Sequence, residues 1–510
     1  MTEPGRLTAG WQRVFWRFIA SVWRWEAGAL LLIVVLGGAL RFHGLGWDQP
    51  PESNRPLQMH PDERFLSLVA NRIDWPDGVG GYFDTANSPL NPYNDGETNS
   101  YVYGTFPLFL VKAVATIAGD DPAGPDNSYD RTVVWGRRVT AVFDTATILL
   151  VFAVGLRLFG SRAGLLGALL YALAVLPTQL AHFWTADPYL TFFATLTLLL
   201  SVLWMRSDGA GSWWLAVGLG GHRAGGGVQG ERRHLRGAAG GGVWAASRAE
   251  GLPAPGAQVA GRDRGRAEER TSWTWANDFS MLCLAGAISL VVFRVAQPYA
   301  FDGPNFWDMA LNQRWWDDLQ REQDFQQGNA DYPPFVQFAG TTPFLTPLKN
   351  MVLWGMGPAL GIASWVAMVA AGILLVRRRE MAFALPLVAG LLVLGFWGPR
   401  FVAFMRYFQP MYPVLAVLAG WGLVAFWEWA REGAVAESAA ASAVGEADSA
   451  GDTGGEDTRG WRANGRGRSH LVVGAGVPVG LQPGAPANRS DALGIREPLR
   501  GDGDHQRDMG

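Results

Sequence analysis

His60-Pro61-Asp62-Glu63-Arg64 stands just beyond the first long apolar run of the chain, Ala27–Arg41. Two adjacent carboxylates at the edge of a membrane span suit general-base chemistry, in which a carboxylate takes the proton of a hydroxyl as that oxygen attacks. They also suit a plainer role, since Pro61 and the acids favour the first turn of a helix over ERFLSLVANRI. The two readings are compatible, because a helix terminus holds a carboxylate in place. Arg137-Arg138 heads the next long apolar run and Asp144 lies within it. Guanidinium matches phosphate bidentately, so the arginine pair is read as a phosphate ligand. Asp144, seven residues after Arg137 and on nearly the same helix face, is expected to pair with it, as intramembrane acids usually pair or function. Asp187 precedes Pro188, where it serves either a site or a helix cap. Arg406-Tyr407 reads as a further arginine site or as an interfacial anchor. His60 and His182 are isolated, which favours hydrogen bonding over metal ligation. The sequence has no Gly-rich phosphate loop, no Cys/His metal spacing and no nucleophile elbow.

These residues hang on apolar runs at Ala27–Arg41, Val139–Leu156, Leu165–His182, Tyr189–Met205, Phe279–Val295, Met351–Val376, Met381–Trp397 and Tyr412–Trp427. Most approach the roughly 20 residues that cross a bilayer core. The 510-residue chain is therefore expected to be an all-α multi-pass membrane protein, not a string of soluble domains. Its net charge of −3 says little about partners, because charge is sorted by membrane side. The single cysteine, Cys283, excludes an intrachain disulfide. Trp11–Trp25, mixing aromatics with Arg13, Arg17 and Arg24, reads as an interfacial amphipathic helix or as the charged flank of a signal anchor, with no signal-peptide cleavage site evident.

The arginines set the topology. Arg6, Arg13, Arg17 and Arg24 put the N-terminal segment in the cytoplasm. Thr105–Ala118 is apolar but only about 14 residues long and carries Lys112, as a re-entrant or interfacial helix would. If it does not cross, Arg157, Arg162, Arg206 and Arg377-Arg378-Arg379 all fall in the cytoplasm; if it does, all fall outside. The non-crossing arrangement obeys the positive-inside rule. It places Asp62-Glu63, Arg137-Arg138, Asp187, Arg406-Tyr407 and the loop Gln297–Lys349 on one outer face.

With these residues in place, the chain resembles the GT-C membrane glycosyltransferases, closest to the protein O-mannosyltransferase and aminoarabinose-transferase-like group (family 39-like). The resemblance rests on the outer-loop pair Asp62-Glu63, on WGRRVTAVFDTATILLVFAVGLRLFGSRAGLLGALLYAL, on HFWTADPYLTFFATLTLLL and on MRYFQPMYPVLAVLAGWGL. It spans most of 41–206 and 276–427. It implies a bundle of about 8–11 transmembrane helices with a large first outer loop bearing juxtamembrane helices. It further implies inverting transfer of a sugar from a polyprenyl-phosphate donor to a hydroxyl on the extracytoplasmic face of the cell membrane, the acceptor being protein, lipid or glycan. Asp62 would be the base, assisted by Glu63. Arg137 or Arg138, with Arg406, would hold the leaving phosphate. Asp187 would lie beside the sugar or acceptor, and His60 and Tyr407 complete the substrate-binding candidates. A divalent metal is compatible with this chemistry, though nothing in the chain demands one. Membrane lipids are expected partners and nucleic acid is not.

The domain organisation expected is an interfacial segment at 1–26, a membrane core at 27–206 with its outer loop at 43–135, and further membrane helices at 276–430 with an outer loop at 297–349. Between them, 207–275 is rich in Gly, Ala and Arg without a helical apolar period, where the family continues with a pair of short apolar helices carrying a Lys. An acidic Ala/Ser/Gly-rich linker at Glu432–Asp457 reads as disordered, and the tail from Trp461 shares the texture of 207–275. Segments 219–272 and 461–510 are read as out-of-frame translations of a GC-rich gene, against the alternative of a genuine basic loop and tail. Two rival functions stand beside the transferase. A secondary transporter would place polar sites near the midplane between repeats, and an inactive membrane scaffold would need no site.

Overall fold

The computed structural model describes residues 25–49, 59–124, 129–205, 279–280, 283–329 and 333–451. The leader, 207–275 and the tail from Trp461 lie outside them. The described residues are helical, with no strand beyond an isolated bridge between Phe301 and Leu311. In chain order the principal helices are α1 (Trp25–Phe42), α2 (Pro61–Arg72), α3 (Thr105–Ile117), α4 (Tyr129–Phe159), α5 (Ser161–Ala172), α6 (Val175–Leu180), α7 (Asp187–Met205), α8 (Cys283–Ala296), α9 (Gln313–Gln327), α10 (Pro358–Arg378), α11 (Ala384–Trp397) and α12 (Met411–Gly451). Among them α1, α4, α7, α10 and α12 are long and apolar enough to cross a membrane. The all-α multi-pass expectation therefore holds. α3 has 13 residues; at 1.5 Å each it spans about 20 Å, short of a bilayer core of about 30 Å.

α4 is the spine. Its 31 residues cover about 46 Å, and it packs against α1, α2, α3, α5 and α7. Gly160, with φ of 95°, makes the left-handed turn that folds α5 back along α4. Two apolar cores result. The larger runs along the membrane helices from Ile148, Val151 and Tyr171 to Met411, Leu415 and Leu418. The smaller fastens the outer segments and contains Leu66, Val69 and Ile73 of α2, Leu108 and Val111 of α3, and Trp184 and Tyr189. It is this second core that seats α2 and its acidic first turn.

Three boundaries differ from those expected. The run Leu165–His182 is two helices, α5 and α6, separated at Leu173–Ala174. Pro177 supplies the cause: it has no N–H for the carbonyl of Leu173, and its ring crowds that carbonyl. The run from Met351 starts as a π-turn over Met351–Gly355, and the spanning helix begins only at Pro358, after Gly357 at φ 82°. The linker read as disordered is helical to Gly451, in keeping with the high helix propensity of its Ala and Glu residues. The chain to Ala439 forms one compact unit; of the second, Ala440–Gly510, only the end of α12 is described.

Candidate active site

The first turn of α2 aims its two acids differently. His60 caps the helix, its Nδ1 accepting from the Asp62 amide at 3.3 Å, and Pro61 follows at the first helical position. Consecutive residues on a helix diverge by about 100°, so Asp62 and Glu63 face different neighbours.

Glu63 faces α4 and is sealed. Arg137, fully buried, donates from Nε to Glu63 Oε2 at 3.0 Å and from Nη2 to Oε1. It also donates to Asp48 from both terminal nitrogens, at 2.7 and 2.8 Å, and to the Leu45 carbonyl at 2.7 Å. These bonds use all five guanidinium hydrogens. The Trp184 amide adds a donor to Glu63 Oε2 at 3.2 Å. Trp184 reaches it by lying on Gly136, where a Cβ would come within 2.4 Å of the indole. Burial pushes the Glu63 carboxyl above its usual range, and Arg137 works against that rise. One guanidinium serves two carboxylates here, and its hydrogen-bond donors are all taken. Arg137, expected to hold a phosphate, has no donor left for one.

Asp62 faces a different neighbour, in a more open cluster. Its Oδ2 pairs with Arg406 Nη1, and its Oδ1 accepts from the Tyr103 hydroxyl at 3.2 Å. Asp187, half-buried at the start of α7, acts electrostatically on both Arg406 and Asp62. Burial opposes the charge on Arg406, yet Asp62 and Asp187 together hold its pKa above the ordinary value. The Arg406 side chain is 21% exposed, and its Nε lacks a hydrogen-bond partner among the described residues. Burial also raises the Tyr103 phenol, which stays a neutral donor to Asp62. Tyr407 stacks on Trp397 at 4.5 Å between ring centres and accepts a bond from Gln326 of α9 at 3.1 Å. Burial lowers the His60 pKa below the ordinary 6.5, Asp62 opposing.

Asp144 does not pair with Arg137. Seven residues separate them, about 10.5 Å along the axis, and side chains of one helix do not close that gap. Its partner is the buried Arg41 at the end of α1, which donates to it from Nε. Arg41 also donates to the Gly37 and Ala172 carbonyls, each at 3.0 Å. Tyr171 donates to Asp144 at 2.6 Å, and the Gln409 amide approaches it at 3.4 Å. Gln409 in turn donates its backbone N–H to the Arg406 carbonyl at 3.0 Å. α4 thus carries two buried charge clusters. The upper one steadies Glu63 beside Asp62; the lower one reaches the turn that bears Arg406.

The structure therefore brings Asp62, Asp187 and Arg406 together, with His60 and Tyr407 at the edge. It places Glu63 and Arg137 behind them and Asp144 below. Arg138 makes no contact with Asp62, Asp187 or Arg406 among the described residues; it is exposed, its guanidinium 4.7 Å from the centre of the Trp135 ring. Sequence reasoning missed Asp48, Tyr103, Arg41 and Gln409. Asp48 follows the first span closely enough to have been suspected. No group of three His, Cys, Asp or Glu among the described residues is placed to hold a metal ion.

Residues 132–222 match the family described as dolichyl-phosphate-mannose-protein mannosyltransferase. The match ends within the Gly/Ala/Arg-rich segment 207–275. No curated protein matches the chain in sequence. Among solved structures, the oligosaccharyltransferase of Archaeoglobus fulgidus in its apo form aligns at 13% identity and a TM-score of 0.47, over 82% of this chain and 52% of that one. The same archaeal enzyme, AglB, in complex with an inhibitory peptide and a dolichol-phosphate gives 13% and 0.46, over the same shares. ArnT from Cupriavidus metallidurans, apo, gives 15% and 0.41, over 78% of this chain and 60% of that one. The chain thus spans about half the length of the archaeal structures it matches. The resemblance to the GT-C membrane glycosyltransferases read from the sequence is borne out by the mannosyltransferase family match, which runs across the helices that carry Arg137, Asp144 and Asp187.

Proposed function

We propose that the chain transfers a sugar, a mannose-like hexose or a pentose, from a polyprenyl-phosphate donor to a hydroxyl acceptor at the extracytoplasmic face of the cell membrane, with inversion. The observation that carries this reading is a single partly open arginine, Arg406, set between Asp62 and Asp187 beside helices long enough to span a bilayer. Asp62 is the base. As the acceptor oxygen forms its bond to the anomeric carbon, Asp62 takes the hydroxyl proton, and the bond from that carbon to the phosphate oxygen breaks. The electron pair leaves with the polyprenyl phosphate, whose charge Arg406 balances. In the resting pair Arg406 is held by Asp62; a donor phosphate competes for the same guanidinium and so releases Asp62 to work as a base. Tyr103 keeps the carboxylate oriented, and Asp187 lies where it can bond a sugar or acceptor hydroxyl. Glu63 and Arg137 position α2 and touch no substrate.

The test is release of polyprenyl phosphate from a panel of polyprenyl-phosphate sugars by protein in nanodiscs, with Asp62→Asn beside the wild type. General-base loss predicts turnover lower by roughly 10²–10⁴-fold with donor binding kept; unchanged turnover removes Asp62 from the role. The same reading treats 219–272 and 461–510 as out-of-frame, supported by the family match ending at residue 222. Translating the coding DNA in its other two frames tests that point, and a lack of any apolar Lys-containing run there rejects it.

A further inference from the structure

Beside the first half of α4 lies an open groove of about 600 Å³. Phe42 and Leu45 after α1, Val114 of α3, and Val139 and Val142 of α4 form its apolar walls. Arg138, Trp135 and Gln49 add polar groups to its lining. The indole N–H of Trp135 is fixed by Asp120 Oδ2 at 2.9 Å, and the Arg138 guanidinium rests over that indole. Phe42 and Val142 are 42% and 54% exposed, so the groove opens outward along a helix that crosses the bilayer.

The arginines in the first half of α4 differ in how their charge is met. Arg131 pairs with Asp120 at 2.9 Å, and Arg137 with Asp48 and Glu63. Arg138 forms no salt bridge among the described residues and feels a carboxylate only at longer range, through the charge of Asp120, although it stands at the head of a membrane span next to apolar walls. Its exposed guanidinium keeps donors free for an anion, and guanidinium binds phosphate oxygens in pairs. The walls suit an acyl chain and the cation suits the phosphodiester to which that chain is attached.

We infer that this groove holds one phospholipid of the surrounding bilayer, its phosphate on Arg138 and one acyl chain along Leu45, Val114, Val139 and Val142. The occupant is a bilayer phospholipid and not the polyprenyl-phosphate donor, because Asp62, Asp187 and Arg406 do not line the groove and Arg138 makes no contact with them among the described residues. The site does not depend on the transferase reading, and its test needs no activity.

The experiment is native mass spectrometry of the full chain in detergent with added phosphatidylglycerol, following how much remains bound through a delipidating wash. Wild type is expected to retain about one phosphatidylglycerol per chain, and Arg138→Gln to retain at least tenfold less. Val142→Trp, which fills the groove and leaves the charge, is expected to lose it equally; it decides the matter should Arg138→Gln fail to fold. Retention unaffected by both variants overturns the site. Retention of a polyprenyl phosphate that depends on Arg138, with none of phosphatidylglycerol, overturns the choice of occupant and assigns the groove to the carrier lipid.

Discussion

Two arginine clusters flank the first turn of α2, and they use the same chemistry to opposite ends. Around Arg137 every donor is taken, both carboxylates are buried, and the side chain has no exposed surface. Around Arg406 one carboxylate is paired, a second lies within electrostatic reach, one nitrogen is without a partner, and a fifth of the side chain meets solvent. A saturated arginine can only hold its neighbours still. An unsaturated one can exchange partners, which is what binding and releasing a phosphate requires. Adjacent residues of one motif, Asp62 and Glu63, are divided between the two roles by the 100° turn of a helix.

Breaking the sealed cluster should cost the most. Arg137→Met leaves Asp48 and Glu63 buried without a counter-charge, and removal of one partner from a buried pair typically costs about 3–5 kcal/mol. Thermal unfolding in detergent should show that drop, and Glu63→Gln in the same background should recover part of it. A variant as stable as wild type would mean the cluster is wetter than its burial implies. Arg406→Gln should reverse the pattern, with a smaller loss of stability and a fall in turnover of about 10²–10³-fold, the usual range for one transition-state donor. Equal behaviour of the two variants in both assays would erase the distinction drawn here.

The smallest effect concerns pH. His60 is held below its ordinary pKa of 6.5 by burial, so the folded state binds the proton less readily than the unfolded one. The associated stability is present above pH 6.5 and is lost as pH falls through the lowered folded value. Protonation at Nδ1 also removes the acceptor for the Asp62 amide. His60→Asn keeps a capping acceptor that does not titrate, and should flatten the acid limb of both stability and turnover. An acid limb that stays in place in the Asn variant would assign it to another group.

Much of this was legible in the chain. Long apolar runs give the spans because bilayer thickness sets their length, and the carboxylate pair drew notice because of where it sits relative to the first of them. The partners were less legible. Arg41 ends a span and so looked like an ordinary flanking charge; only the fold brings Asp144 to it. Arg137 was read as a phosphate ligand because nothing in the local sequence ties Asp48 to it across 89 positions. The break between α5 and α6 could have been anticipated from Pro177, whose missing N–H forbids a continuous helix there.

That break has a consequence for which helices must pack together. Interrupting a helix leaves backbone carbonyls without partners, which a bilayer cannot hydrate. Here the Ala172 carbonyl receives its hydrogen bond from Arg41, a residue translated more than a hundred positions earlier. The interruption is therefore satisfied only where α1 packs beside it, so the break in the chain between α5 and α6 depends on the first span for its place in a bilayer.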